Sequence, residues 1–445
     1  MNGEVAPSPP PSRREAFAWC LFDFGNSAFA TLVVTFVYAA FFSKSIAPNG
    51  GDVLWGHALT VSGILIALLS PVLGARADQR RGGKKRMLVW CSMICISATV
   101  LLTFPNGSPA EPASTLTIAV ALLLFVIANV SFELVYVFYN AFLPELGPED
   151  RLGRLSGRAW ALGYAGGLLC LVVGLGFVGL PEIGFGPWLA ESGAWNVRAT
   201  NLLVAAWFLV FAVPAFLWLH DRGVGASGSE PVGGGLRRAI REVVRTLSHL
   251  RSFPDLFRLL IAHLVYNDAV LAIIGLAALY MERTLGMELS EIMVTAIGLN
   301  VAAGLGSYAF GWIEDKVGAR AAIVGSLVLL LLGAVLAVAV PTVTAFRIAA
   351  VLVGLGLGPN QASSRSLMAR FSPAAKRAEF FGIFSLSGKA TAWIGTLSFS
   401  LVVMATGSQR LGLVPLVFML ALGLYLMLGV NQARGEARAR AEEVG

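Results

Sequence analysis

The chain has 445 residues, of which 56% are hydrophobic and only 13% charged. Soluble globular domains carry about 25% charged residues, so the composition argues against a soluble enzyme or nucleic-acid-binding domain and for a polytopic membrane protein. The formal net charge of +7 does not change this, because the basic residues lie between apolar runs and not on one polar domain.

Taken in chain order, residues 1–16 read as a proline-rich cytoplasmic tail, and the apolar run behind them is too long for the h-region of a cleaved signal. Twelve apolar stretches then follow, each near the ~20 residues that cross ~30 Å of hydrocarbon. They lie at 17–42, 54–74, 87–104, 115–143, 157–180, 200–219, 256–281, 290–312, 321–340, 344–367, 379–404 and 411–430. An even number places both termini on one side. Of the 33 lysines and arginines, the outer loops hold only Lys44, Arg198, Arg283, Arg347 and Arg410. Positive charge marks the inner side, which puts both termini in the cytoplasm.

The longest polar stretch, 220–255, divides the chain six and six. It opens with "DRGVGASGSEPVGGG", a flexible linker. It continues as "LRRAIREVVRTLSHL", with Leu236, Ile240, Val243, Leu247 and Leu250 on one helical face and Arg237, Arg238, Arg241 and Arg245 on another. Such a cationic amphipathic helix suits the inner membrane surface. The organisation expected is a six-helix bundle over 17–219, the linker, a second six-helix bundle over 256–430 and a cytoplasmic tail over 431–445. The cysteines, Cys20, Cys91, Cys95 and Cys170, all sit in apolar runs as packing residues. Neither a metal site nor a cofactor is expected.

Ionisable residues within membrane spans are functional candidates, because lipid penalises them. Span one carries Asp23, Ser27, Thr31 and Tyr38 within an ~80° arc, with Asn26 beside it. Asp23 could line a cavity, cap the helix or partner Arg14. Span four carries Asn129, Glu133, Tyr136 and Asn140 within ~60°, and Glu133 is the first candidate to carry a proton, ahead of Asp23 and Asp268. Span seven holds His263, Tyr266, Asn267 and Asp268, and span ten holds Asn360, Gln361, Ser364 and Arg365. Span eleven places Ser385, Lys389, Trp393, Thr396 and Ser400 on one stripe. Lys389 could pair with Asp268 or anchor an anionic substrate group, and Arg365 could meet a gate carboxylate or snorkel to lipid phosphate. Gly354, Gly356, Gly358 and Pro359 allow close packing or a hinge at 356–359.

The two halves repeat. "GARADQRRGGKKR" follows span two and "GWIEDKVGARAA" follows span eight, each with an aspartate four residues after a glycine: Gly74/Asp78 and Gly311/Asp315. "PEDRLGRLSG" and "PAAKRAEFFG" correspond more loosely. Paired signatures in two six-span halves imply a pseudo-symmetric transporter with its site near the midplane.

The glycine–aspartate–basic loops resemble the signature of the major facilitator superfamily. That resemblance implies that Asp78 and Asp315 gate the inner end, with Arg86, Lys316 and Arg320 as partners. It also implies that spans one, four, seven and ten line a central cavity, with five and eleven beside them. "LFDFGNSAFAT", "FYNAFLPELG", "GRLSGRAWALGYAGG", "LVYNDAV", "NQASSRSL" and "FFGIFSLSGKATA" are similar to the vacuole-effluxer branch of that superfamily. This implies amino acids or small peptides as solutes.

Enzyme motifs fail on inspection. The His263 and Asp268 of "HLVYND" are ~140° apart on a helix, and "SGKAT" lacks the leading glycine and preceding strand of a phosphate loop. The expected protein is a monomeric secondary transporter of the bacterial inner membrane. It moves a small polar or zwitterionic solute by alternating access, coupled to protons, and its partners are the solute, protons and the lipid bilayer, with no nucleic acid. Sugars, other metabolites and drugs are the alternative solutes, and a membrane-embedded enzyme or sensor is the alternative class.

Overall fold

The computed structural model describes residues 11–108, 111, 113–178, 194–222 and 235–444, and every regular element among them is helical. The first bundle comprises α1 (Arg13–Ile46), α2 (Gly51–Asp78), α3 (Gly83–Leu101), α4 (Thr115–Ala141), α5 (Leu152–Val178) and α6 (Trp195–Trp218). Helix α7 (Gly235–His249) stands between the bundles in sequence. The second bundle comprises α8 (Pro254–Arg283), α9 (Leu289–Val317), α10 (Ala319–Ala339), α11 (Val343–Phe371), α12 (Arg377–Lys389), α13 (Ile394–Thr406) and α14 (Gln409–Leu428). Helix α15 (Gln432–Val444) ends the chain. Eleven helical stretches among the described residues are long and apolar enough to cross a membrane, with α12 and α13 together forming one of them. The third expected span falls on α3, which opens with Lys84, Lys85 and Arg86 and is not among the eleven.

Two inter-bundle seams define the architecture: α2 against α12, and α5 against α9. Both run through glycine. A β-carbon on Gly382 of α12 would strike the Ser70 carbonyl and stand 2.6 Å from the Pro71 Cα of α2. In the matching seam a β-carbon on Gly157 of α5 would strike the Ser307 carbonyl, and one on Gly311 would stand 2.8 Å from the Gly153 carbonyl oxygen. Without a hydrophobic force between helices in lipid, such close approach supplies the packing attraction. These seams lie at the end that carries Asp78, Asp315 and the basic loops, referred to below as the basic end. Toward the other end α13 packs on α8 and α14, and the wide-turn continuation of α1 packs on α2, α5 and α6, so each stays within its own bundle. The tightest inter-bundle approaches among the described residues lie toward the basic end.

Three expectations shift. Helix α11 runs unbroken through Pro359, and Gly354, Gly356 and Gly358 serve as contact points against Leu299, Ser326 and Ala303, which is the close packing expected of them. The break lies instead in the eleventh expected span, where residues 390–393 form turns between α12 and α13. The glycine-rich linker, residues 223–234, lies outside the described residues. Helix α7 forms where expected, but Val243 is buried against Val72 and Ala75 of α2, so part of its apolar face meets protein. The final stretch, expected as a tail, is a docked helix: Arg434 Nη2 is 2.7 Å from the Asp255 carboxylate, and Gly435 lies against Phe371.

Candidate functional site

Asp78 and Asp315 occupy equivalent places at the basic end. Asp78 accepts the backbone N–H groups of Ala378 (3.2 Å) and Glu379 (2.8 Å) in the first turn of α12. Asp315 accepts those of Gly153 (3.0 Å) and Arg154 (3.4 Å) in the first turn of α5, together with the Arg154 Nε. Each carboxylate of one bundle therefore caps a helix of the other, where free amides and the helix dipole favour negative charge. The basic residues expected beside them do otherwise. Arg86 and Lys316 are exposed, and Arg320 donates to the Met427 (3.4 Å) and Leu428 (2.7 Å) carbonyls at the end of α14.

Above the caps, Arg365 of α11 is buried across the interface and does not snorkel. Its Nε and Nη2 donate to the hydroxyl (3.0 Å) and carbonyl (2.9 Å) of Ser156 on α5. Its Nη1 reaches Asp23 of α1 (3.4 Å) and Asn140 of α4 (3.3 Å), and its guanidinium lies 4.7 Å from the Trp19 ring centre. Tyr139 donates to Asp23 at 3.2 Å. Asp23 thus sits in a sealed layer joining both bundles. Asn26, one turn along α1, accepts from Tyr136 at 3.3 Å.

Further from the basic end, at the close of α12, the side chains are partly open. Lys389 Nζ lies 2.7 Å from Glu133 Oε1, with both side chains about a quarter exposed (26% and 22%). This pair joins α4 of the first bundle to α12 of the second, and Lys389 stands 11 residues, or roughly 16 Å, above the Asp78 cap at Ala378. The acid facing Lys389 is Glu133, not Asp268. Asp268 is buried and accepts the Gly395 N–H at 3.2 Å. Asn267 donates to the Gly388 carbonyl at 3.0 Å. Asn129 is buried on α4, Gln361 half-buried on α11, and Trp393 is 60% exposed beside the helix break.

Sequence reasoning passed over a buried cluster at the basic end. Glu145, within "FYNAFLPELG", pairs with Lys84, accepts the Arg222 N–H (3.0 Å) and meets Arg377 of α12 (3.3 Å). Lys84 also lies 3.2 Å from Asp221. Among the described residues no group of His, Cys, Asp and Glu side chains is arranged to hold a metal ion.

Residues 53–440 match the family described as vacuole effluxer Atg22-like. The chain belongs to that family, within the major facilitator superfamily. An uncharacterized MFS-type transporter of Bacillus subtilis strain 168, YxiO, is 26% identical over 93% of this chain and 94% of its own length. Autophagy-related protein 22 of Yarrowia lipolytica is 25% identical over 64% of this chain and 51% of that protein. Among solved structures, the major facilitator transporter FucP in its outward conformation matches with a TM-score of 0.72 at 14% identity, over 94% of this chain and 98% of that one. The protein is an integral membrane transporter of small molecules. The transporter's fold is that of FucP; its solute does not follow from that likeness.

Proposed function

We propose that this transporter moves small carboxylate-bearing solutes, amino acids or small peptides foremost, by proton-coupled alternating access at the Lys389–Glu133 pair. The observation that supports this reading is the pair itself: a 2.7 Å ion pair, partly open, joining one helix from each bundle. Protonation of Glu133 breaks the pair and frees the ammonium of Lys389. The solute's carboxylate then takes that ammonium, exchanging one charge-assisted hydrogen bond for another. Release on the opposite side, with loss of the proton, restores the pair and neutralises the empty site for the return. The solute is moved without covalent change, which is transport and not catalysis.

With α3 as the span after α2, twelve helices cross the bilayer, and the basic end with both termini faces the cytoplasm. The tightly packed basic end then corresponds to an outward-facing state. Asp78, Asp315 and Arg365 hold it with Asn140, and Tyr136, Gln361 and Trp393 border the path. The Bacillus relative supports a bacterial plasma membrane as its location, with the monomer as the working unit.

Purified protein in liposomes tests this. Amino acids should accumulate against their gradient when a pH gradient is imposed. Lys389→Ala should lose solute binding, and Glu133→Gln should bind and exchange solute without concentrating it. Concentrative uptake by Glu133→Gln would remove Glu133 from proton coupling, and full binding by Lys389→Ala would remove the carboxylate site.

A further inference from the structure

The break between α12 and α13 sits where Lys389 is presented, and one helix holds it at several points. Along α8, His263 Nδ1 meets the Ser387 hydroxyl at 2.9 Å, and the Phe384 ring stacks 4.0 Å from the imidazole. Asn267 Nδ2 donates to the Gly388 carbonyl at 3.0 Å, and Thr391 Oγ1 donates to the Leu264 carbonyl at 3.4 Å. The Asp268 carboxylate accepts the Gly395 N–H through both oxygens at 3.2 Å.

These partners serve the groups that the break releases. The Ala392 N–H turns to the Lys389 carbonyl (3.4 Å), away from Gly388, whose oxygen Asn267 takes instead. The Ile394 N–H takes the Thr391 carbonyl (2.8 Å), the one Gly395 would use in a continuous helix, and Asp268 receives the amide left over. A backbone group left unsatisfied inside a membrane costs several kcal/mol, so the break depends on both side chains. Glycines at 388 and 395 let α8 come close: a β-carbon at 388 would stand 3.2 Å from His263 Cε1, and one at 395 would stand 2.9 Å from the Ala272 β-carbon.

We infer that Asp268 and Asn267 are positioning residues: they cap the two half-helix ends at the break and so fix Lys389 against Glu133, without themselves contacting solute or carrying the proton. The inference rests on the Lys389 site proposed above. It reassigns two residues whose place in an intramembrane polar cluster otherwise marks them as solute contacts. In this arrangement α8 is the bracket, and the break that presents Lys389 is what it holds.

Two measurements on full-length protein separate the roles. Hydrogen exchange of the peptide spanning 388–397 reads the cap directly, without solute. Asp268→Ala should speed exchange at Gly395, while Asp268→Asn, whose amide oxygen still accepts that N–H, should leave it near the parent rate. In liposome uptake of labelled amino acids, Asp268→Ala should raise KM on the order of tenfold with little change in kcat. Asp268→Asn should restore KM. Gly395→Ala, which pushes α8 away while leaving Asp268 intact, should reproduce the Asp268→Ala phenotype and guards against a folding failure of the latter. Equal loss in Asp268→Asn and Asp268→Ala with unchanged exchange would overturn the inference and return Asp268 to the solute or proton path. Faster exchange in Asp268→Ala together with full solute binding by Lys389→Ala would leave the caps standing and sink the Lys389 site instead.

Discussion

Arg365 shows how one side chain can belong to both halves of the molecule. Its guanidinium fork meets Ser156 on two edges, its third nitrogen reaches Asp23 and Asn140, and its faces lie near Trp19 and Trp160. Lysine cannot reproduce that pattern, because a point charge on a flexible stem offers neither a planar fork nor a stacking face. Asp23 Oδ1 already lacks a hydrogen-bond partner, so Arg365 is the charge that holds this buried carboxylate in place. Truncating one partner of a buried pair costs about 3–5 kcal/mol, since the other charge is stranded. Arg365→Ala should therefore lower thermal stability in detergent by that order, and Arg365→Lys should fall between it and the parent. Adding Asp23→Asn to Arg365→Ala should recover part of the loss. No recovery in the double variant would mean that Arg365 acts through Ser156 and the aromatic rings, with Asp23 a bystander.

The two caps at the basic end look equivalent in the sequence and differ in what stands beside them. The repeated glycine–aspartate loops made Asp78 and Asp315 legible, since each ends a helix at the same point of its half. Their partners were not legible. Periodicity places a residue on a face of its own helix but says nothing of which helix of the other half meets that face. For the same reason Glu133 and Lys389 stood out singly as membrane-embedded charges, while their pairing across 256 residues of sequence did not. Tyr139 was missed because the stripe through residues 129, 133, 136 and 140 steps past it. With the structure, the asymmetry between the caps becomes a prediction. Asp315 holds two amides and the Arg154 guanidinium, whereas Asp78 holds two amides, one of them from an acidic residue, Glu379. A charge-assisted hydrogen bond is roughly twice as strong as a neutral one, so Asp315→Ala should open the basic end more than Asp78→Ala, by about 1 kcal/mol or some fivefold in population. Distances between spin labels placed across each seam read this directly. A larger shift from Asp78→Ala would show that the neighbouring carboxylate of Glu379, and not the Arg154 pair, sets the balance.

Hydropathy marked eleven of the expected spans because lipid imposes an apolar composition on a helix that crosses it, but it was silent about elements that lipid does not shape. Residues 432–444 are polar on all sides and read as a tail, yet they form α15 and cross the basic end of the second bundle. Two of its ion pairs reach different bundles. Arg434 forks onto Asp255, whose side chain is 1% exposed and also accepts the Asn431 N–H at 2.8 Å. Arg440 reaches over to Glu149 of the first bundle at 2.7 Å, but both side chains are more than half exposed (60% and 61%). Exposed ion pairs contribute about 0–1 kcal/mol and are screened by salt, so the cross-bundle pair should be the weaker anchor. Arg434→Ala should lower the melting temperature clearly, and removal of residues 432–445 should lower it at least as far. Arg440→Ala should leave it close to the parent, and 0.5 M salt should not change that order. If Arg440→Ala instead destabilised the protein as much as Arg434→Ala, α15 would be a strap that ties the two bundles together. If it does not, α15 is a cap on the second bundle, and the opening of the basic end is governed by the Asp78 and Asp315 seams.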